Sequence, residues 1–269
     1  MKFTVLMPVH NGIDLSLLKK AINSVLNNKL IPNEFTIIVD GLISKEKEFF
    51  LLDKKRKNSF IRVIFKKKTG ISKTLNYGLK IAKYNIIARA DADDVNNKYR
   101  FLKQINFFKK HNPDILGSNI EENINGKIFI KQMPLEPNLL DFFLMNPINH
   151  MTVMFKKNKI IRLGGYPEIK YKEDYTLWFL ARINNYKILN LNTSLVKSRM
   201  DAMTLERRKN IKAILSEFKM QFFIINKNFY LFLPCIFSLI IRVVFLILPN
   251  FLHIFLIKKI NRFKIIKNK

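Results

Sequence analysis

The run Phe3 to Val9 is mostly apolar and too short for a helix, which predicts a first strand. Pro8-Val9-His10-Asn11-Gly12 ends it with turn chemistry. From Asp14 to Asn28, apolar residues at Leu15, Leu18, Ile22, Val25 and Leu26 keep helical spacing, with Asp14 placed as the cap. Phe35 to Val39 predicts a second strand that stops at Asp40-Gly41. Lys45 to Lys57 is a charged helix anchored by Phe49, Leu51 and Leu52, and Ile61 to Phe65 is a third strand. Ser72, after Gly70, is the expected cap of a helix through Ala82. Tyr84 to Ala90 is a fourth strand, and it runs directly into Asp91-Ala92-Asp93-Asp94.

Strands alternating with helices predict an α/β fold built on a parallel, doubly wound sheet. Ligands of such sheets collect at the carboxyl ends of the strands. Three of these ends carry Pro8 to Asn11, Asp40, and Asp91 to Asp94. If strand geometry continues through the acidic stretch, Asp91 and Asp93 share a face. Carboxylates converging there repel one another unless a cation lies between them, so the pattern points to a divalent metal site; capping of the next helix, or pairing with Arg89 and Lys98, is the alternative.

The later chain is less regular. A helix is expected from Asn97 or Lys98 to His111, broken by Asn112-Pro113, and a fifth strand over Ile115 to Ile120. Gly126, Pro134 and Pro137 punctuate an irregular segment. Thr152 to Phe155 is another strand, Gly164-Gly165-Tyr166-Pro167 a turn, and Glu173-Asp174 opens a helix to about Asn184. Lys187 to Leu191 is the last expected strand, and from Leu205 the chain reads as helical and basic.

Composition adds three constraints. With 269 residues, 48% of them hydrophobic, the chain can build a full-sized core. Its formal charge of +28 calls for a polyanionic neighbour: phosphorylated substrates, an anionic membrane or nucleic acid. No DNA- or RNA-reading motif is present, so nucleic acid is not expected. The single cysteine, Cys235, excludes an intramolecular disulfide, and the four histidines lack ligand spacing. Met1-Lys2-Phe3 leads straight into a strand with no signal-peptide pattern, so a reducing, cytoplasmic setting is expected.

The ordered series of motifs resembles the family 2 inverting glycosyltransferases of the GT-A fold, of the bacterial surface-polysaccharide type. Its members are Leu6 to Asn11, Ile37 to Gly41, Gly70 to Leu79, Arg89 to Asp94, Asn146 to Val153, Gly164 to Tyr166, and Glu173 to Trp178. A lone D-x-D is weak; the full series in this order is specific. His10 stands where the family often has an aromatic, and Gly41 where it often has a second acid.

The resemblance implies transfer of a sugar from a nucleotide-sugar donor to a glycan or lipid-linked acceptor. It places Asp93 on a divalent cation, with Asp91 as a further ligand or nearer the ribose; Mg²⁺ and Mn²⁺ both suit oxygen ligands. It makes the Glu173-Asp174 pair catalytic, with Asp174 as the base that takes the acceptor's proton. Acids in a helix's first turn also complement its dipole, which would lower the pKa of such a base. Pro8, His10, Asp40, Lys73 and His150 would line the donor site; a structural turn at Pro8 to His10 and a solvated Lys73 are the alternatives. Trp178, four residues beyond Asp174, is read either as a platform for an acceptor ring or as core.

The resemblance covers residues 1–208, leaving 209–269 as an appendage. Phe229 to Leu248 carries one charge, Arg242, and has the length of a membrane span. Both flanks are basic, and no acid follows Glu217, which argues against a simple crossing. Cys235, Ser238, Arg242, Pro249 and His253 form a narrow polar stripe. A helical pair lying in the cytoplasmic face of an anionic membrane, hinged at Pro249-Asn250, meets both constraints, with a helix buried in the protein or a dimer contact as the alternative. Two other classes are weaker. A sugar-nucleotide pyrophosphorylase needs a glycine-rich basic loop after the first strand, and Pro8 to Gly12 is not one. A non-enzymatic basic protein leaves the acids at successive strand ends unexplained.

Overall fold

The computed structural model describes residues 1–124, 126–200, 211–248 and 262–264. Strands β1 (Phe3–Val9), β2 (Glu34–Asp40), β3 (Ile61–Lys66) and β4 (Ile86–Arg89) form a parallel block in the order β3-β2-β1-β4. Helices α1 (Leu15–Leu26), α2 (Lys45–Lys57) and α3 (Ile71–Ile81) make the crossovers. Further on come β5 (Val95–Asn96), α4 (Arg100–His111), β6 (Ile115–Ile124), β7 (Lys127–Lys131), α5 (Leu139–Leu144), β8 (Met154–Lys156), α6 (Lys157–Arg162), α7 (Glu173–Ile183) and β9 (Ile188–Met200). The chain ends with α8 (Ile211–Lys227), α9 (Phe232–Ile247) and β10 (Arg262–Lys264).

Beyond β4 the sheet changes sense. β8 is antiparallel to both β4 and β6, β9 runs parallel to β6, and β7 and then β10 extend the edge antiparallel. This is the mostly parallel α/β sheet expected, with helices on both faces. Side-chain alternation sorts the core. Phe3, Val5, Met7 and Val9 of β1 face α1, α2 and α4, while Leu6 and Ile38 face the cluster that holds α3, α7 and α8.

Asp14 caps α1 as the spacing required, accepting from the Ser16 and Leu17 amides. Ser72 does not cap α3. Gly70 takes that place at φ 93°, and the Ser72 hydroxyl, inside the helix, donates to the Pro167 carbonyl at 3.0 Å. Only glycine adopts such a φ without strain, and the turn at Asp40 demands it. Helix α4 starts at Arg100, later than expected. The irregular stretch around Gly126 is a hairpin of β6 and β7, and β9 reaches Met200, well past Leu191.

The C-terminal helices share the main core. Met220, Ile224, Ile225 and Cys235 join the cluster of Phe142, Tyr175 and Trp178. The expected boundary at 208/209 and the hinge at Pro249-Asn250 lie outside the described residues. The apolar stretch is not one span: Phe229–Leu231 is a short 3₁₀ turn and α9 has 16 residues, about 24 Å at 1.5 Å per residue, short of a ~30 Å hydrocarbon core. No helix among the described residues is long and apolar enough to cross a membrane.

Candidate active site

The site forms where β1, β2 and β4 end. Pro8 sits inside β1, beyond the last position paired to β4, where Leu6 faces Arg89. Its missing N–H therefore costs no ladder bond on that side. His10 follows in an exposed turn, where its Nδ1 accepts from the Gly12 amide at 3.0 Å.

The acidic stretch is not extended, as strand geometry would require. β4 stops at Arg89, and Ala92 and Asp93 form a turn. The turn achieves what alternation was expected to do: Asp91, Asp93 and Asp94 each offer a ligand oxygen, and these lie within 4.8 Å of one another. Asp93 is exposed, Asp91 half-buried and Asp94 buried. The crowding shifts the protons. Desolvation and then the charge of Asp91 raise the pKa of Asp93, and burial followed by the Asp91 and Asp93 charges raises that of Asp94 further. Such an all-oxygen cluster is the donor set a hard divalent cation takes.

Two arginines support it. The Arg89 guanidinium, 4% exposed, stands 2.7 Å from Asp91. Arg100, wholly buried, donates to the Arg89 carbonyl at 2.6 Å, to Gln104 at 3.1 Å and to the Asn96 amide oxygen. Burial lowers its pKa to about 9, so it is still charged at neutral pH. The sequence already offers Arg89 as a partner for these acids, a cation set in the apolar run Ile86 to Ala90, since a buried charge is kept only when paired; the role of Arg100 it does not show.

The second acidic pair opens α7. Glu173 and Asp174 are its first two residues, both half-buried. The Asn146 amide donates to Asp174 Oδ2 at 3.0 Å. Burial, and then the Asp174 charge, raise the Glu173 carboxyl to about 7, the opposite of a shift led by the helix dipole. Its Oε2 is buried with no hydrogen-bond partner among the described residues. His150 Nε2 lies 3.2 Å from the Tyr166 hydroxyl. Burial, then the nearby Arg89 charge, lower the His150 pKa, which leaves the ring neutral at pH 7. Arg89, Asp91 and Asp174 all act electrostatically on His150, Tyr166 and Glu173, so the two acidic centres border one region.

Other expected residues stand further into structural networks. Asp40 accepts from Lys66 Nζ at 2.9 Å, the Thr69 amide at 2.8 Å and the Gly70 amide at 2.9 Å. Burial pushes its pKa up, but these bonds prevail and hold it at about 2. Lys73 pairs with Glu168 at 3.2 Å, both half exposed or more. Trp178 is no platform. It is fully buried, and its ring lies about 6 Å from those of His150, Phe155 and Tyr166. Helical spacing put it on a shared face with Asp174, but that face turns into the core one turn later.

A mostly parallel sheet whose strand ends carry a carboxylate cluster, with a helix that opens on two acids, is an architecture of the GT-A type. The family model described as glycosyl transferase family 2 matches residues 4–215, and the chain belongs to that family. A UDP-Gal:alpha-D-GlcNAc-diphosphoundecaprenol beta-1,3-galactosyltransferase of Escherichia coli is 32% identical over 266 residues, 97% of each chain. The fold is similar to that of S. aureus TarS 1–349 in complex with UDP-GlcNAc (TM-score 0.64, 19% identity, 84% of this chain and 67% of that one). It is also similar to the mannosyltransferase PcManGT of Pyrobaculum calidifontis in complex with GDP-Man and Mn²⁺ (TM-score 0.62, 12% identity, 81% and 63%).

Proposed function

We propose that this glycosyltransferase moves a sugar, with inversion, from a nucleotide-sugar donor to a hydroxyl of a lipid-linked or polysaccharide precursor of the bacterial cell surface. The observation that carries the reading is the Asp91–Asp93–Asp94 cluster bordering the same region as Glu173-Asp174. The Escherichia coli relative, whose name specifies a diphosphoundecaprenol-linked acceptor, supports the acceptor class.

Asp93 and Asp91 would hold a divalent cation, Mg²⁺ or Mn²⁺; three carboxylate oxygens within 4.8 Å fit such an ion. Bound there, a cation supplies neutralising charge for the departing nucleoside diphosphate. Pro8, His10, Asp40, Lys73 and His150 serve the donor, Asp40 by holding the loop before α3 in shape. Asp174 takes the acceptor's proton as the acceptor oxygen attacks the anomeric carbon and the bond to the diphosphate breaks. Asn146 occupies Oδ2 of Asp174 and leaves Oδ1 for the hydroxyl. With its carboxyl raised to about 7, Glu173 is only partly ionised at neutral pH and adds less negative charge beside it.

The helices of the 209–269 segment would dock on an anionic membrane at its cytoplasmic face. Leu233, Phe237, Ile240, Val244 and Ile247 of α9 recur at helical spacing and are all more than half exposed. No acid follows Glu217 in the chain. An apolar stripe with basic flanks is the pattern of an in-plane helix.

The test is a donor screen: nucleotide sugars with Mn²⁺ or Mg²⁺, measuring released nucleoside diphosphate with and without a diphosphopolyprenyl glycan. The expected result is metal-dependent release that EDTA stops and added metal restores, and that Asp93→Ala abolishes. Full turnover in EDTA, or by Asp93→Ala, would sink the metal role.

A further inference from the structure

The Glu173-Asp174 pair is flanked by two residues that the C-terminal helices grip. Lys172, just before it, places its ammonium 2.5 Å from Glu217 of α8. Tyr175, just after it, donates its hydroxyl to the Phe142 carbonyl at 2.5 Å and accepts from the Arg242 guanidinium of α9. Glu217 and Arg242 also pair with each other at 3.2 Å. Arg242 donates further to the Phe142 and Phe143 carbonyls and to Ser238, and its guanidinium stacks 4.6 Å from the Tyr175 ring. Glu217 is 1% exposed and Arg242 8%.

A buried ionic cluster of this kind is poor evidence of stability. Desolvating the charges costs about what their attraction returns, and apolar replacements of similar volume are often neutral or better. Its geometric consequence is more specific. An ion pair from α8 holds Lys172 and a hydrogen bond from α9 holds Tyr175, and these bracket the two acids of the site. Exposed Lys212, Lys219 or Lys227 could serve solubility; buried Arg242 cannot.

We propose that Glu217 and Arg242 are positioning residues for the transfer reaction: they lock the first turn of α7 to the C-terminal helical pair and so set where the Asp174 carboxylate points. The inference rests on Asp174 being the base. It makes α8 and α9 part of the catalytic frame as well as a surface for docking. It also explains why the only acid of α8 is turned inward, onto Lys172 and Arg242.

The test uses the full chain with Glu217→Gln, Arg242→Met, the double variant, Arg242→Lys, and Tyr175→Phe as the mildest change. Folding is checked by thermal melting, and transfer kcat and donor KM are measured separately. The expected result is a fall in kcat of about 10- to 100-fold, with donor KM within about twofold of the parent. Arg242→Lys should recover part of the loss and Tyr175→Phe should show a smaller one. Folded variants with parental kcat would overturn the proposal, as would kcat and donor KM failing together. If Glu217→Gln and Arg242→Met do not fold, Tyr175→Phe decides, and parental kcat in it overturns the proposal. Asp174→Asn separates the two readings. If it loses transfer while the clamp variants keep it, only the clamp fails; if it keeps transfer, the base assignment falls and the clamp with it.

Discussion

Asn146 holds one oxygen of Asp174 through a 3.0 Å bond from its side-chain amide, joining residues 28 positions apart. The carboxylate is thereby aimed as well as placed. Asn146→Ala should leave donor binding unchanged and lower transfer kcat by about 10- to 100-fold, the scale of a misplaced catalytic group. Asp174→Asn should also bind donor and lose transfer. Calorimetry with the nucleoside diphosphate, beside initial rates, checks both.

Glu173 carries a pH signature. Its carboxyl titrates near 7 in the folded protein, against an ordinary 4.5. Between those values the unfolded chain releases a proton that the folded chain keeps, so stability falls as pH rises through the window. The upper bound is about 3 kcal/mol, from 1.36 kcal/mol per pKa unit. Glu173→Gln should therefore melt higher than the parent at pH 8, with little difference at pH 4.5, in chelator-treated protein. Equal melting curves at pH 8 would refute the shift.

Gly165 permits a close approach between distant segments. It sits at φ 77°, and a Cβ there would stand 2.4 Å from Asn76 Oδ1. That same amide accepts from the Tyr166 N–H at 2.7 Å and donates to the Tyr166 carbonyl at 2.8 Å. Gly165→Ala should cost about 2–4 kcal/mol, from left-handed strain plus overpacking. Urea unfolding measures it, and His150, bonded to the Tyr166 hydroxyl, should shift in NMR.

The membrane reading predicts binding to vesicles with anionic lipid and weaker binding to neutral ones, reduced by salt. Phe237→Glu should weaken partition by about 10- to 100-fold, from the ~1.5–3 kcal/mol of a buried Phe side chain. Transfer to a short soluble acceptor should be unchanged. Co-sedimentation reads the first and rates the second.

The sheet and its crossovers were legible because short apolar strands and helical spacing are local signals, and Asp14 and α2 followed them closely. The acidic cluster was legible as chemistry but not as geometry, since the turn at Ala92-Asp93 depends on where pairing with β1 ends. Asn146 and Glu217 were not legible in role, because each acts on a partner far away in the chain; nor was Arg100, whose partners are near in sequence but whose burial is set by packing. Trp178 shows the converse: its spacing from Asp174 was read correctly, yet burial is set by neighbours that the helix pattern does not name. The C-terminal polar stripe was visible, but only packing shows that Cys235, Ser238 and Arg242 turn inward.

The pairing of β10 with β7 bears on how the protein can be engineered. Deleting everything from α9 onward is an obvious route to a better-behaved sample. It would also remove the strand that covers β7, leaving a bare row of amides and carbonyls open to another copy of the chain. Such a truncation would exchange a lipid-seeking surface for an aggregation-prone one, so substituting the outward-facing side chains of α9 is the sounder course.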